Sequence, residues 1–219
     1  MTLTIRIWPH RLLEAGAFVT RFSTPLAARP APSAITALAA AGAPAPLVSS
    51  DLIRTAVRDL LRAGGFKPAG RSKPASEYLV AAVAEARFPS INAGVDACNV
   101  VSLHSGLPIS LVDVDLLDGP LEIRIAAPGT TYAFNPSGQV IDVSGLVCLH
   151  DAQGPTGTPV KDAQRTKTHD GTRAALSIVW GTSALPGRTA ATTRWYRELM
   201  QTIAGATVED VEVDVSPAP

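Results

Sequence analysis

The sequence contains few of the residues that build metal, redox or nucleophilic sites. Its 219 residues include two cysteines and four histidines, and aromatic residues make up 5% of the chain. Cys98 and Cys148 lie far apart in sequence, which indicates two reduced, structural thiols. The histidines show no spacing typical of zinc ligands, and neither a glycine-rich phosphate loop nor a Gly-x-Ser-x-Gly motif occurs. The sequence therefore predicts no metal and no cofactor.

The sequence also lacks a net charge and a long apolar run. Lys and Arg number 19 and so do Asp and Glu, so no overall basic field indicates nucleic-acid binding, and RNA contacts must come from local patches. No apolar run approaches the roughly 20 residues of a membrane-spanning helix, and residues 1–7 lack a secretory pattern. We therefore predict a soluble, cytoplasmic protein that binds neither membranes nor DNA.

The order of the sequence patterns predicts an α+β fold. Residues 1–50 contain a β-prone start, an amphipathic segment and a region rich in proline and alanine. Helices are predicted between Ser50 and Gly64, at about 74–86, at 96–103 and at 192–203. Short strands are predicted at 107–114, 121–126, 131–134, 140–143, 146–149 and 174–179, and again from Thr207. This order favours a β-sandwich or twisted sheets flanked by helices.

The same patterns predict one domain over residues 1–219, without internal repeats. Its core covers about residues 45–205. Residues 1–50 contribute an N-terminal strand and the Pro/Ala-rich region, and residues 206–219 form an acidic C-terminal strand and tail.

Polar and small residues are concentrated in an otherwise apolar segment between residues 71 and 113. Within it, Asp96 and Asn99 are three residues apart, so they share one face of a helical turn. Their apolar neighbours indicate that both side chains are half-buried and need hydrogen-bond partners. Two interpretations remain open: these residues fix the turn that leads from helix to sheet, or they line a polar pocket.

The spacing of these residues resembles the B3/B4 editing module of the phenylalanyl-tRNA synthetase beta subunit. The matching positions are Asn92, Val95, Asp96, Asn99, Gly106, Pro108, Asp113, Asp115, Gly119 and Arg124. Segments 71–79, 145–151 and 166–172 resemble further motifs of this family, so the likeness covers roughly residues 45–180. Several motifs in the same order are far more specific than any one alone, and they imply the B3/B4 fold.

The resemblance implies a trans-acting aminoacyl-tRNA deacylase, which hydrolyses a mischarged amino acid, including a non-protein one, from tRNA. Such hydrolysis needs a positioned water and a stabilised oxyanion, but no protein nucleophile or metal. Two alternatives are a non-catalytic RNA-binding module and an enzyme that acts on a free small molecule. Ser110 stands where the family has a histidine, so the resemblance leaves the amino-acid substrate open.

The motifs and the local charges together give a set of candidate site residues. The candidates for catalysis are Asn99, Ser110 and Asp162. The candidates for the substrate pocket are Asn92, Asp96, Gly106, Pro108, Asp113 and Thr166. The candidates for tRNA binding are Arg71, Lys73, Arg165 and Lys167, with solvated surface charge as the alternative. A stripe of Arg54, Arg58 and Arg62 is either a solvated helix face or a contact with the RNA backbone.

Overall fold

Two β-sheets and five helices form the fold in the computed structural model, which describes residues 2–40 and 42–216. The strands are β1 (Thr4–Ile7), β2 (Leu13–Phe22), β3 (Ile109–Asp113), β4 (Leu121–Ile125), β5 (Thr131–Ala133), β6 (Val140–Asp142), β7 (Val147–Asp151), β8 (Gly154–Gly157), β9 (Ala174–Thr182), β10 (Ala206–Asp210) and β11 (Glu212–Val215). The helices are α1 (Ser33–Thr36), α2 (Asp51–Arg62), α3 (Ala75–Ala84), α4 (Ala93–Ser105) and α5 (Arg188–Gln201).

The two sheets differ in strand direction. The five-stranded sheet has the order β11-β1-β4-β7-β8, in which β1 runs parallel to both β11 and β4, and the remaining pairs are antiparallel. The four-stranded sheet has the order β10-β2-β9-β3 and is antiparallel throughout. Strands β5 and β6 form a separate hairpin.

Strand β9 is buried on both faces and joins the two hydrophobic cores. Leu176 and Trp180 belong to a core that also contains Ile5, Ile123 and Leu149 of the five-stranded sheet. The alternate residues of β9, including Val179, face a second core that contains the helices. This division follows from the two-residue period of a strand, and burial on both faces explains the continuous apolar sequence. The predicted α+β fold with twisted sheets and flanking helices is confirmed.

Helix α2 shows why its sequence pattern was informative. Ser50 caps the helix, its hydroxyl accepting a hydrogen bond from the backbone N–H of Ile53 at 3.4 Å. The apolar stripe of the helix is buried in the core. On the other face, Arg54 pairs with Asp51, Arg58 with Glu77 and Arg62 with Asp59. The charges of this arginine stripe are therefore balanced within the protein.

The N-terminal strands contribute more to the fold than their sequence indicates. The segment predicted only as amphipathic forms β2, which lies between β10 and β9 in the four-stranded sheet. Its alanines and glycine have little preference for strands, and long-range pairing with β9 decides the structure. Strand β1 is also an interior strand. The sheets therefore extend the core beyond the predicted 45–205.

Three further elements differ from the predicted ones. The acidic segment from Thr207 forms two strands rather than one, because the chain passes at Val211 from β10 in one sheet to β11 in the other. The helix predicted at 96–103 extends over all of α4, and the one predicted at 192–203 begins earlier, as α5. Residues 217–219 of the predicted tail lie outside the described residues. Within the described ranges, no helix is long and apolar enough to cross a membrane.

The close packing of α5 against β2 gives a test of the fold. A methyl group added at Gly16 would lie 2.0 Å from Oγ1 and 3.1 Å from Cβ of Thr193. We expect Gly16→Ala to lower the free energy of unfolding by about 1–3 kcal/mol, because overpacking forces the helix away from the strand. Urea denaturation measures the change. In the background of Thr193→Ala the effect should shrink, and strictly additive effects of the two changes would contradict this packing argument.

Candidate functional site

The outer edge of β3 is covered by the loop of residues 158–167. Strand β3 is the last strand of its sheet, so its second row of backbone groups has no neighbouring strand. The backbone N–H of Leu111 instead donates to Oδ2 of Asp162 at 3.3 Å, and Val112 forms an antiparallel bridge with Lys167. The loop follows β8, and it therefore joins the edges of the two sheets.

Asp162 lies at the centre of this junction. Its Oδ1 accepts a hydrogen bond from the backbone N–H of Thr158 at 3.1 Å, while Oδ2 accepts from Leu111. The residue is only partly exposed. Burial raises the pKa of the carboxyl group, and hydrogen bonds from Ser110, Thr158 and Leu111 oppose part of this increase. Asp162 is thus a carboxylate with restricted access to water and a strengthened tendency to hold a proton.

Ser110 is fully buried beside Asp162. Its hydroxyl accepts a hydrogen bond from Nε1 of Trp180 at 2.9 Å and lies 3.2 Å from the carbonyl oxygen of Thr158. Gly157 leaves space next to both side chains, because a methyl group there would lie 3.2 Å from Oγ of Ser110 and 3.6 Å from Oδ1 of Asp162. The absence of a side chain at Gly157 therefore lets its strand pack closely against Ser110 and Asp162.

A basic rim, which we define as Arg71, Lys161 and Lys167, borders this junction, and of the three Lys167 is close enough to Asp162 to influence its charge. The ammonium nitrogen of Lys161 lies 4.0 Å from the ring centroid of Phe134, and that of Lys167 donates to the carbonyl oxygen of Phe134. Burial lowers the pKa of Lys161, and the positive charges of Arg71 and Lys167 lower it further. Burial also lowers the pKa of Lys167, whereas Asp162 opposes that change. The site therefore combines one carboxylate with several cations.

Three of the predicted pocket residues shape helix α4. The side chain of Asn92 caps the helix by accepting from the N–H of Val95 at 3.0 Å. Asp96 is buried and accepts from Oγ of Ser90 at 2.8 Å, which holds the preceding loop. Gly106 ends the helix with a φ of 72°, a left-handed conformation that favours glycine. Asn92 and Asp96 therefore fix the entry to α4, and Gly106 lies at the turn from helix to sheet.

The other predicted pocket residues also make contacts within the protein. The carbonyl of Pro108 accepts from the N–H of Trp180 at 3.0 Å. Asp113 is buried and accepts from the hydroxyl of Thr172 and the N–H of Asp115. The buried hydroxyl of Thr166 lies 3.4 Å from the carbonyl oxygen of Ala163. Their predicted role in a substrate pocket stays a prediction.

The structure separates the predicted catalytic and tRNA-binding residues into two groups. Asp162, Ser110 and Lys167 meet at the junction of the sheets. Arg165 instead forms a bidentate ion pair with the buried Asp151, at 2.8 and 2.6 Å. Asn99 is a partly exposed residue of α4, whereas Arg71 and Lys73 are exposed near the start of α3.

Three residues of the site were not among the sequence candidates: Gly157, Thr158 and Phe134. Lys161, by contrast, belongs to a cluster of basic residues that the sequence shows beside Arg165 and Lys167. Phe134 gave no local signal, because it comes from the β5–β6 hairpin and reaches the site through a contact between Tyr132 Oη and Thr158 Oγ1, 3.1 Å apart.

A separate groove of about 350 Å³ lies between α2 and α3. Of the predicted pocket residues, Gly106 lines it, together with polar side chains and a few apolar ones such as Val57 and Val80. Its two acidic side chains are both paired, Glu77 with Arg58 and Asp51 with Arg54. Among the described residues, no three or more His, Cys, Asp or Glu side chains are arranged to hold a metal ion. We therefore locate the candidate chemistry at Asp162.

Comparison with known proteins shows the class of domain to which this arrangement of sheets and helices belongs. Residues 66–210 match the family model described as B3/4 domain, which is more than half of the chain. The chain belongs to the B3/4 domain family, and the resemblance predicted from the sequence is confirmed. No curated protein matches the sequence.

A solved structure with the same fold is the crystal structure of an N-terminal fragment of the phenylalanyl-tRNA synthetase beta-subunit from Pyrococcus horikoshii. The TM-score is 0.53 and the sequence identity 8%, over 98% of this chain and 52% of that chain. At this identity the likeness shows the fold alone. This chain spans about half of that fragment.

The hydrogen bond between Ser110 and Trp180 gives a test of the junction. We expect Ser110→Ala to lower the free energy of unfolding by about 1–3 kcal/mol, because the buried Nε1–H of Trp180 loses its acceptor. Thr20→Val is a matched control: Thr20 is equally buried, and its hydroxyl has no hydrogen-bond partner among the described residues. Equal losses for the two variants in urea denaturation would contradict a specific role for Ser110.

Proposed function

We propose that this protein hydrolyses the ester bond of a mischarged aminoacyl-tRNA in trans. The observation that carries the proposal is the carboxylate of Asp162, a partly exposed residue that lies beside the cation Lys167 at the junction of the two sheets. A carboxylate next to a basic rim suits a substrate whose reacting ester is attached to a polyanion. Membership of a family related to a tRNA synthetase subunit supports tRNA as the partner.

The proposed chemistry uses Asp162 as a general base. A water molecule attacks the ester carbonyl carbon while the carboxylate accepts its proton, and the oxyanion of the tetrahedral intermediate is stabilised by the ammonium group of Lys167. The bond from the carbonyl carbon to the ribose oxygen then breaks, and that oxygen receives the proton. The products are a free amino acid and a tRNA with a free terminal hydroxyl. The raised pKa makes Asp162 a stronger base than an ordinary aspartate.

The remaining candidates have supporting roles in this proposal. Ser110 positions the carbonyl of Thr158 and the indole of Trp180, and it makes the pocket differ from that of family members with histidine. Arg71, Lys73 and Lys167 contact tRNA phosphates. Arg165, through its ion pair with Asp151, holds the turn between β7 and β8 rather than a phosphate.

Incubation with a panel of mischarged tRNAs tests the proposal. We expect faster deacylation of at least one of them, with a rate that rises as pH increases through the raised pKa of Asp162, because only the ionised carboxylate accepts a proton. The acidic limb should therefore lie above the ordinary aspartate pKa of about 3.9. Asp162→Asn should reduce the rate by roughly 10²–10⁴-fold, the typical contribution of a general base.

A control variant and two other outcomes complete this test. Asp170→Asn changes an exposed carboxylate outside the junction and should leave the rate unchanged. If no tRNA in the panel is deacylated faster, the proposal is wrong. Salt-sensitive tRNA binding without turnover would then identify an RNA-binding module, and turnover of a free small molecule without tRNA would identify the third alternative.

A further inference from the structure

The three cations of the basic rim lack acidic partners. Among the described residues, Arg71, Lys161 and Lys167 form no ion pair with a carboxylate, whereas Arg58 on α2 and Arg165 in the same loop each do. Clustered cations repel one another, and this repulsion contributes to the lowered pKa of Lys161. A bound anion would remove the repulsion, so the cluster favours a negatively charged ligand.

Three separate chain segments bring these charges together. The β5–β6 hairpin supplies Phe134, whose ring faces Lys161 and whose carbonyl accepts from Lys167. The backbone N–H of Ala75 donates to the carbonyl of Pro159 at 2.9 Å, which ties the segment that contains Arg71 to the same loop. The two ammonium groups are therefore positioned by contacts with Phe134 rather than free in solvent.

We propose that Lys161, Lys167 and Arg71 bind one phosphate group, the phosphodiester on the 5′ side of the terminal nucleoside of the substrate. Lys161 is adjacent to Asp162 in sequence, so the phosphate and the ester would lie at the two ends of one bound nucleoside. This assignment rests on the proposed function for the identity of the ligand. The chemistry of the site itself, three cations beside a half-buried aromatic ring, is that of a phosphate site in any case.

Direct binding tests the phosphate site without any turnover. The probe is the dinucleotide cytidylyl-(3′→5′)-adenosine, which carries the phosphodiester, and adenosine is the matched ligand that lacks it. Isothermal titration calorimetry should show that the dinucleotide binds and that Lys161→Gln weakens its binding about tenfold, the effect of losing one charged hydrogen bond. Lys161→Arg should retain most of the affinity because it keeps the charge.

Matched controls and the salt dependence sharpen the result. Arg194→Gln removes an exposed cation from α5 and should leave the affinity unchanged. Removing one phosphate contact should reduce the slope of log affinity against log salt by about 0.7, the value for single strands. Adenosine that binds as tightly as the dinucleotide, or a Lys161→Gln variant with wild-type affinity, would overturn the site. Tighter binding of adenosine 5′-monophosphate than of the dinucleotide would overturn its assignment to RNA.

A kinetic comparison separates this inference from the proposed function. For an aminoacyl-tRNA that is hydrolysed, Lys161→Gln should raise KM with little change in kcat, while hydrolysis of the corresponding aminoacyl-adenosine, which lacks the phosphate, should be unaffected. If no ester is hydrolysed but dinucleotide binding depends on Lys161, the deacylase proposal fails and the phosphate site stands. If hydrolysis occurs with an unchanged KM in Lys161→Gln, the phosphate site fails and the deacylase proposal stands.

Discussion

The backbone groups at an unpaired sheet edge need hydrogen-bond partners, and in this protein a carboxylate is one of these partners. The N–H groups on the outer side of β3 have no neighbouring strand, and Asp162 accepts a hydrogen bond from Leu111 while it holds Thr158 with its second oxygen. This contact holds the loop that contains Lys161 and Lys167 against the edge of β3. The loop thereby joins the edges of the two sheets and lies next to Ser110. The arrangement of the candidate site depends on it.

The same interaction explains why the carboxylate of Asp162 is suited to act as a base. A carboxylate surrounded by protein is poorly solvated, which raises its pKa, yet the two backbone N–H groups keep it in place. Asp162 therefore combines a structural and a proposed chemical role. The edge of the sheet needs a hydrogen-bond acceptor, and a carboxylate with limited hydration is both an acceptor and a base. Removal of the charge therefore affects both the edge of the sheet and the proposed reaction.

The local parts of the fold could be predicted from the sequence. The Ser50 cap and the apolar stripe of α2 are properties of adjacent turns, and the spacing from Asn92 to Asp113 was enough to indicate the family. Strand β2 could not be predicted, because its alanines and glycine become a strand only through pairing with β9.

The candidate site, like the fold, could be predicted in part. Asp162, Ser110 and Lys167 were candidates and do meet, but Phe134 and Gly157 reach them through contacts between a hairpin and a loop that no sequence period reveals. For Asp96 and Asn99, the sequence left two interpretations open. The hydrogen bond of Asp96 to the loop before α4 shows a structural role for that residue.

The crossing of the chain at Val211 has a consequence for how the protein acquires its structure. Strand β1 has two parallel neighbours, β4 and β11, and residues 4–7 pair with residues 212–215. Because these segments are so far apart in sequence, their pairing carries a large loop-closure cost and is expected late in folding. During synthesis, β1 would keep one open edge until nearly all of this sequence had followed. It would therefore be exposed to mispairing for longer than the strands of this sequence made after it.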